Sequence, residues 1–182
     1  MMHSKMHRSV IAVALLVACN GQSLSAQWSI APSAAVGVSI PGTRHDELKE
    51  GVVAKAGVWV RAPRVPVGLT VEGMFSHLPG GRRISTAEGL TVGGAMLSVT
   101  TRRHERRVET YGVAGGGWYW YSNAPGRFTR ANAPGFNAGV GELLQVRGHD
   151  LFAEVRFHAI RTPTASGGTW TTMLPIMLGV RF

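Results

Sequence analysis

From residue 28 to residue 182 the chain alternates bulky apolar side chains with small or polar ones at a period of two. Successive side chains of a strand point to opposite faces, so this alternation marks strands lying between two unlike environments. The clearest case is 170–182, where Trp170, Leu174, Ile176, Leu178, Val180 and Phe182 share one parity and Thr171, Gly179 and Arg181 take the other. In 150–160, Leu151, Ala153, Val155 and Phe157 oppose Phe152, Glu154, Arg156 and His158. Similar stretches occupy 28–40, 52–61, 67–77, 89–101, 107–121 and 135–146, and glycine, proline or charged runs separate them. Both parities of 107–121 carry aromatics, so its facing stays open. No stretch after residue 27 shows a helical apolar stripe.

The connections add direction. Those after the first, third, fifth and seventh stretches read as long, near 41–50, 78–88, 122–132 and 162–169, and the others read as short turns. That rhythm suits an antiparallel barrel crossing a bilayer, with short turns on the periplasmic side and longer loops outside. Stretches of about ten residues match a tilted membrane crossing. The polarity decides between a soluble and a membrane barrel. The less apolar faces hold glycine, serine and a few long charges, which suit a crowded lumen better than a lipocalin-type apolar lining. The pattern therefore predicts an all-β fold, an eight-stranded antiparallel up-and-down transmembrane β-barrel. Eight strands leave a lumen that side chains can fill, which argues against an open pore.

The start of the chain points to export. Lys5 and Arg8 precede an apolar run at 10–18, and "SLSAQ" follows. A basic segment, a short apolar segment and small exit residues form a secretory signal peptide, expected to span 1–26 and to leave 27–182 as one barrel domain. The apolar run is too short for a helix of roughly 20 residues across a bilayer. Cys19 follows Leu16-Val17-Ala18, which leaves open a lipidated N-terminus. If it is removed with the signal, no cysteine remains for a disulfide.

The formal charge is +9, and 1–26 contributes only Lys5 and Arg8 to it. Beyond them the sole lysines are Lys49 and Lys55, so the positive charge is arginine. An exported chain does not meet chromosomal DNA, so nucleic acid is excluded as a partner. The relevant anions are lipopolysaccharide phosphates and lipid headgroups, which guanidinium groups bind bidentately. Arg82, Arg83, Arg127 and Arg130 fall in expected outer loops and are the candidate lipopolysaccharide contacts. Charges on the luminal face must pair, because an isolated buried charge costs several kcal/mol. Lys55, Glu72, Glu154, Arg156 and Arg181 are accordingly expected to form a structural luminal network, with Arg181 reading as a luminal or periplasmic-rim charge.

"FNAGVGELLQVRGHDLFAEVRFHAI" and "MLPIMLGVRF" resemble the last three strands of the small outer-membrane β-barrel family that includes OmpX-like and OmpA-N-terminal-like domains. The carriers are the run Asn137-Ala138-Gly139-Val140-Gly141, the "LFAEVRF" strand and the Pro175, Gly179, Phe182 ending. The resemblance covers roughly the last fifty residues; the rest fits by pattern. It implies residence in the bacterial outer membrane among lipids and lipopolysaccharide. It also implies a terminal strand, ending on Phe182, that the barrel-assembly machinery reads. One departure concerns the sixth strand: family members often carry Glu where Leu143 stands, whereas here Glu is at 142.

Catalytic chemistry has little to work with. A lipid A deacylase needs a serine beside a histidine base. His158 is the candidate histidine, but the residue two positions on is Ile160, and no spacing selects Ser166. His158 also shares the parity of Glu154 and Arg156. His45 with Asp46, His77, His104 and His149 are scattered over separate loops and turns, so no metal set is expected. Gly115–Gly117 lacks the helix and lysine of a phosphate loop, and no cofactor is expected. The expectation is a monomeric, non-enzymatic barrel with a structural or surface-interaction role through its outer loops. The alternatives are a lipid A-modifying enzyme and a narrow solute channel.

Overall fold

A computed structural model of the chain describes residues 29–42, 48–61, 65–81, 89–105, 108–123, 131–146, 148–164 and 167–182. The alternating stretches become strands β1 (Ser29–Pro41), β2 (Gly51–Arg61), β3 (Val67–Leu78), β4 (Leu90–Glu105), β5 (Val108–Asn123), β6 (Ala131–Val146), β7 (His149–Thr164) and β8 (Gly167–Arg181). Each pairs antiparallel with its sequence neighbour, and β8 returns to β1, closing the barrel. Closure removes both sheet edges, so the wall satisfies its own backbone groups, a requirement in hydrocarbon. The strands run from 11 residues in β2 to 16 in β4 to β7, long enough to cross a bilayer at a tilt.

The alternation sorts as the sequence pattern requires. Val36, Val52, Val71, Leu97, Val140 and Leu178 point outward, each more than half exposed. Lys55, Glu72, Ser98, Asn137, Glu154 and Arg156 point inward and are almost completely buried. An apolar exterior around an interior that holds the buried charges is the inverse of a soluble barrel, and the exterior is a surface for hydrocarbon. Strand β5, ambiguous in sequence, turns Tyr111, Val113 and Tyr119 inward and Trp118 and Trp120 outward. Tyrosine hydroxyls find partners in the lumen, whereas the larger indoles fit the apolar outside.

Two expected outer loops shrink. The β7–β8 ladder runs on to Thr164↔Gly167, so the connection expected at 162–169 becomes 165–166. Pro163 does not stop β7, because it lies beyond the last β6 pair, Gly135↔Ile160, at a hairpin free on that side. Likewise β6 begins at Ala131, which reduces the 122–132 connection to 124–130. At the opposite end β4–β5 and β6–β7 connect through 106–107 and 147–148, with Gly148 at φ 89°, a left-handed turn conformation.

Pro175 interrupts the wall. The β7–β8 ladder is continuous from Asp150 to Val155 and resumes at His158↔Met173. Across the gap Pro175 supplies no N–H to the strand carrying Arg156. On its other side Pro175 still pairs in register with Ser39 of β1. The β1–β8 seam is tight: a Cβ on Gly37 would collide with the Ile176 carbonyl oxygen. Gly37→Ala is therefore expected to hinder closure of β8 on β1. Loss of the compact, heat-modifiable band on electrophoresis of refolded protein is the readout.

Candidate functional site

The lumen is filled in layers, and each layer follows from register. Lys55 on β2 and Glu72 on β3 lie on neighbouring strands, while Glu154 and Arg156 stand two residues apart on β7. Lys55 Nζ lies 2.9 Å from Glu72 Oε1 and 2.7 Å from Glu154 Oε1. Arg156 reaches across the lumen, with Nη1 2.5 Å from Glu72 Oε2 and Nη2 donating to Glu154 Oε2 at 2.9 Å. Each carboxylate therefore touches both cations, and the four formal charges cancel. The Tyr111 hydroxyl also donates to Glu154 Oε2, at 2.8 Å. Ion pairing at this burial offsets desolvation only when the leftover lone pairs and protons are also satisfied, which Tyr111 helps achieve.

Arg181 stands apart from the other four charges, at the rim. It sits at the short-turn end of the barrel, paired through Nε and Nη2 with Asp150 at 2.9 and 2.5 Å. Its guanidinium lies over the Trp59 ring, 5.2 Å from the centroid. The reason is register: Arg181 is level with Ser33 and Asp150, well below Lys55 and Arg156. Between the two charge groups lies an aromatic floor, Trp59 packed edge-on against Tyr111 at 5.1 Å and tilted against Phe152 at 6.5 Å. Trp59 Nε1 donates to Ser33 Oγ.

Toward the long-loop end the filling turns apolar, with Met74, Met96, Met173, Leu78, Leu90 and Ile160 in one buried cluster. Leu48, from the first long connection, joins it. A Leu48–Gly80 bridge and the Lys49 N–H bond to the Pro79 carbonyl tie that connection to the next one. Inward glycines leave no slack, since a Cβ on Gly115 would overlap Ser98 Oγ and one on Gly141 would overlap the Tyr111 ring.

His158 faces this interior. It is fully buried, and its Nδ1 lies 2.9 Å from the Tyr119 hydroxyl. Ser166 lies outside the described residues. Glu142 is exposed on the outer face and Leu143 is buried inside, so β6 brings no charge to the network; it brings Asn137, which accepts from Ser98 Oγ at 3.2 Å. Among the described histidines, His77 Nδ1 meets Thr91 Oγ1 and the His149 ring packs on Phe182. No group of three metal-ligating side chains occurs among the described residues. Arg82, Arg83, Arg127, Arg130 and His45 lie outside the described residues, as does residue 28 and everything before it. Phe182 donates its N–H to the Pro32 carbonyl at the seam, with its ring exposed outside. The sequence reading missed Trp59, Tyr111, Tyr119 and Asn137 as luminal partners, although Trp59 shares the parity of Lys55 on β2.

Breaking one arm of the cluster strands a charge. Glu72→Gln is expected to cost about 3–5 kcal/mol. Lys55→Met combined with Glu72→Gln leaves Arg156 and Glu154 as a neutral pair. It should cost less than the sum of the single changes, with a coupling above about 1 kcal/mol. Urea unfolding of the refolded barrel in micelles measures both.

No protein-family model and no curated protein matches the sequence. Solved structures do match the fold. Neisserial surface protein A aligns at a TM-score of 0.60 and 17% identity, over 85% of this chain and 95% of its own. A major outer membrane protein from Thermus thermophilus aligns at 0.57 and 14%, over 85% and 100%. The N-terminal β-barrel domain of Pseudomonas aeruginosa OprF aligns at 0.50 and 14%, over 84% and 97%. At these identities what is shared is the architecture: the chain has the fold of the small eight-stranded outer-membrane β-barrels.

Proposed function

We propose that this protein is a small, monomeric outer-membrane barrel whose role is structural or surface-interacting, exercised through its long-loop end. The observation that carries the reading is the combination of an apolar exterior with a lumen filled by a neutral ion cluster. Such an interior holds the wall together and, among the described residues, fills the lumen with side chains, which disfavours the channel alternative. The cluster of Lys55, Glu72, Glu154 and Arg156 then serves stability, joining β2, β3 and β7 from within.

The enzymatic alternative is weaker on position. A lipid ester lies in the hydrocarbon outside the wall, whereas His158 is enclosed with Tyr119 inside it. Lipids and lipopolysaccharide are the natural contacts of the exterior, with Arg82, Arg83, Arg127 and Arg130 proposed for the phosphates. Phe182, at the end of the closing strand, is proposed as the residue that the assembly machinery reads. An N-terminal signal at 1–26 would deliver the chain to that machinery.

Three measurements test this reading. Refolded protein in planar bilayers is expected to show no large, stable conductance steps; their appearance would replace the filled lumen with a channel. Incubation with lipid A is expected to leave its acyl chains intact by mass spectrometry. Leu97→Arg places a charge on the lipid face and is expected to destabilise the bilayer-inserted barrel by about 2–4 kcal/mol. A neutral effect of that change would remove the hydrocarbon-facing assignment.

A further inference from the structure

Near the short-turn end several strands carry charged side chains on their inward face. They are Arg61 on β2, Arg102 on β4, Glu109 on β5, Asp150 on β7 and Arg181 on β8. All but Glu109 line a cavity of about 220 Å³, whose wall also includes Trp59. Small residues make the room. Ala31 and Gly68 line it, and a Cβ on Gly68 would lie 2.9 Å from Thr100 Oγ1 and 3.2 Å from the Val60 carbonyl oxygen.

The side chains lining this cavity carry more guanidinium groups than carboxylates. Arg181 is paired with Asp150, and Arg102 is paired with Glu109, which does not line the cavity. No carboxylate among the described residues pairs with Arg61. Among the side chains that line the cavity, three are guanidinium groups and one is a carboxylate, that of Asp150. Each guanidinium carries five N–H donors, and the ion pairs at Arg102 and Arg181 use only one or two of them. The floor is the Trp59 ring, 5% exposed, which shields one side of the cavity from water and strengthens a charge-assisted hydrogen bond there.

We propose that this mouth is a binding site for a phosphate-type oxyanion, with Arg61 as the principal ligand and Arg102 and Arg181 completing the donor set above Trp59. The anion neutralises the one arginine of the ring that the described residues leave unpaired. A phosphate presented by a lipid headgroup and one free in solution have the same recognition chemistry. The orientation proposed above places this mouth on the periplasmic side, but anion binding does not depend on that orientation.

The test uses the whole refolded barrel in a neutral maltoside detergent, titrated calorimetrically with inorganic phosphate, with pyrophosphate, and with short-chain phosphatidylglycerol. Short-chain phosphatidylcholine serves as the zwitterionic comparison. Saturable binding is expected, weakened at least tenfold by Arg61→Gln, partly retained in Arg61→Lys and unchanged in Arg161→Gln, an exposed arginine near the other end. Saturation by the inorganic anions assigns the site to a soluble ligand. Saturation by phosphatidylglycerol alone, with phosphatidylcholine silent, assigns it to a lipid headgroup. No saturable heat with any anion, or equal affinity in Arg61→Gln, overturns the proposal. Retention of the heat-modifiable band in each variant excludes misfolding as the cause of a loss. Failure of binding in a barrel that still shows no conductance would leave the structural reading intact.

Discussion

A sheet placed in hydrocarbon must satisfy every backbone N–H and C=O from within, because no water is present to do so. Closure of β8 on β1 is the step that meets this demand, and the other features of the molecule depend on it. Once eight strands close, the lumen has a fixed, narrow width, and inward side chains must fill it. Long polar side chains that reach across can do so only if their charges cancel. The Lys55, Glu72, Glu154 and Arg156 cluster is therefore a consequence of closure as much as a support for it. Pro175 shows the tolerance of the design: one N–H is absent beside Arg156, yet both flanking pairings of β8 continue.

The layering of the interior separates two electrostatic regimes. The central cluster is neutral and enclosed, between an aromatic floor of Trp59, Tyr111 and Phe152 and an apolar cap of methionines, leucines and Ile160. The ring at the short-turn end surrounds a cavity lined by the guanidinium groups of Arg61, Arg102 and Arg181. The first regime gives rigidity, because opening any ion pair there strands a charge away from water. The second keeps donors available to solvent. Arg181 marks the boundary, its guanidinium stacked on Trp59 and paired with Asp150 rather than with the central carboxylates.

Much of this was readable from spacing. The parity of Glu72 and of Glu154 and Arg156 places them inside, and it places Val71, Leu97 and Leu178 outside, without reference to any contact. Strand 107–121 was not readable in the same way, because Tyr111 and Tyr119 on one parity and Trp118 and Trp120 on the other are all aromatic. The ends of β7 and β8 were misjudged because Pro163 and the glycines at 167–168 read as a loop. In a hairpin beyond the β6 ladder neither residue type costs a wall hydrogen bond. Whether Arg181 joins the central charges or the rim was not readable, because parity gives a face but no height.

The sequence by itself determined the strand number, the facing of nearly every strand and the inverted polarity that assigns hydrocarbon to the outside. Those properties are local or periodic, so each stretch carries its own evidence. Only the tertiary structure decided which luminal groups meet, because stagger between strands sets the level of each side chain along the barrel axis. That stagger brings Lys55 to Glu154 across 99 positions of sequence and keeps Arg181 out of the same cluster. It also gathers Arg61, Arg102 and Arg181 from three strands around one cavity, a convergence that no spacing along the chain records.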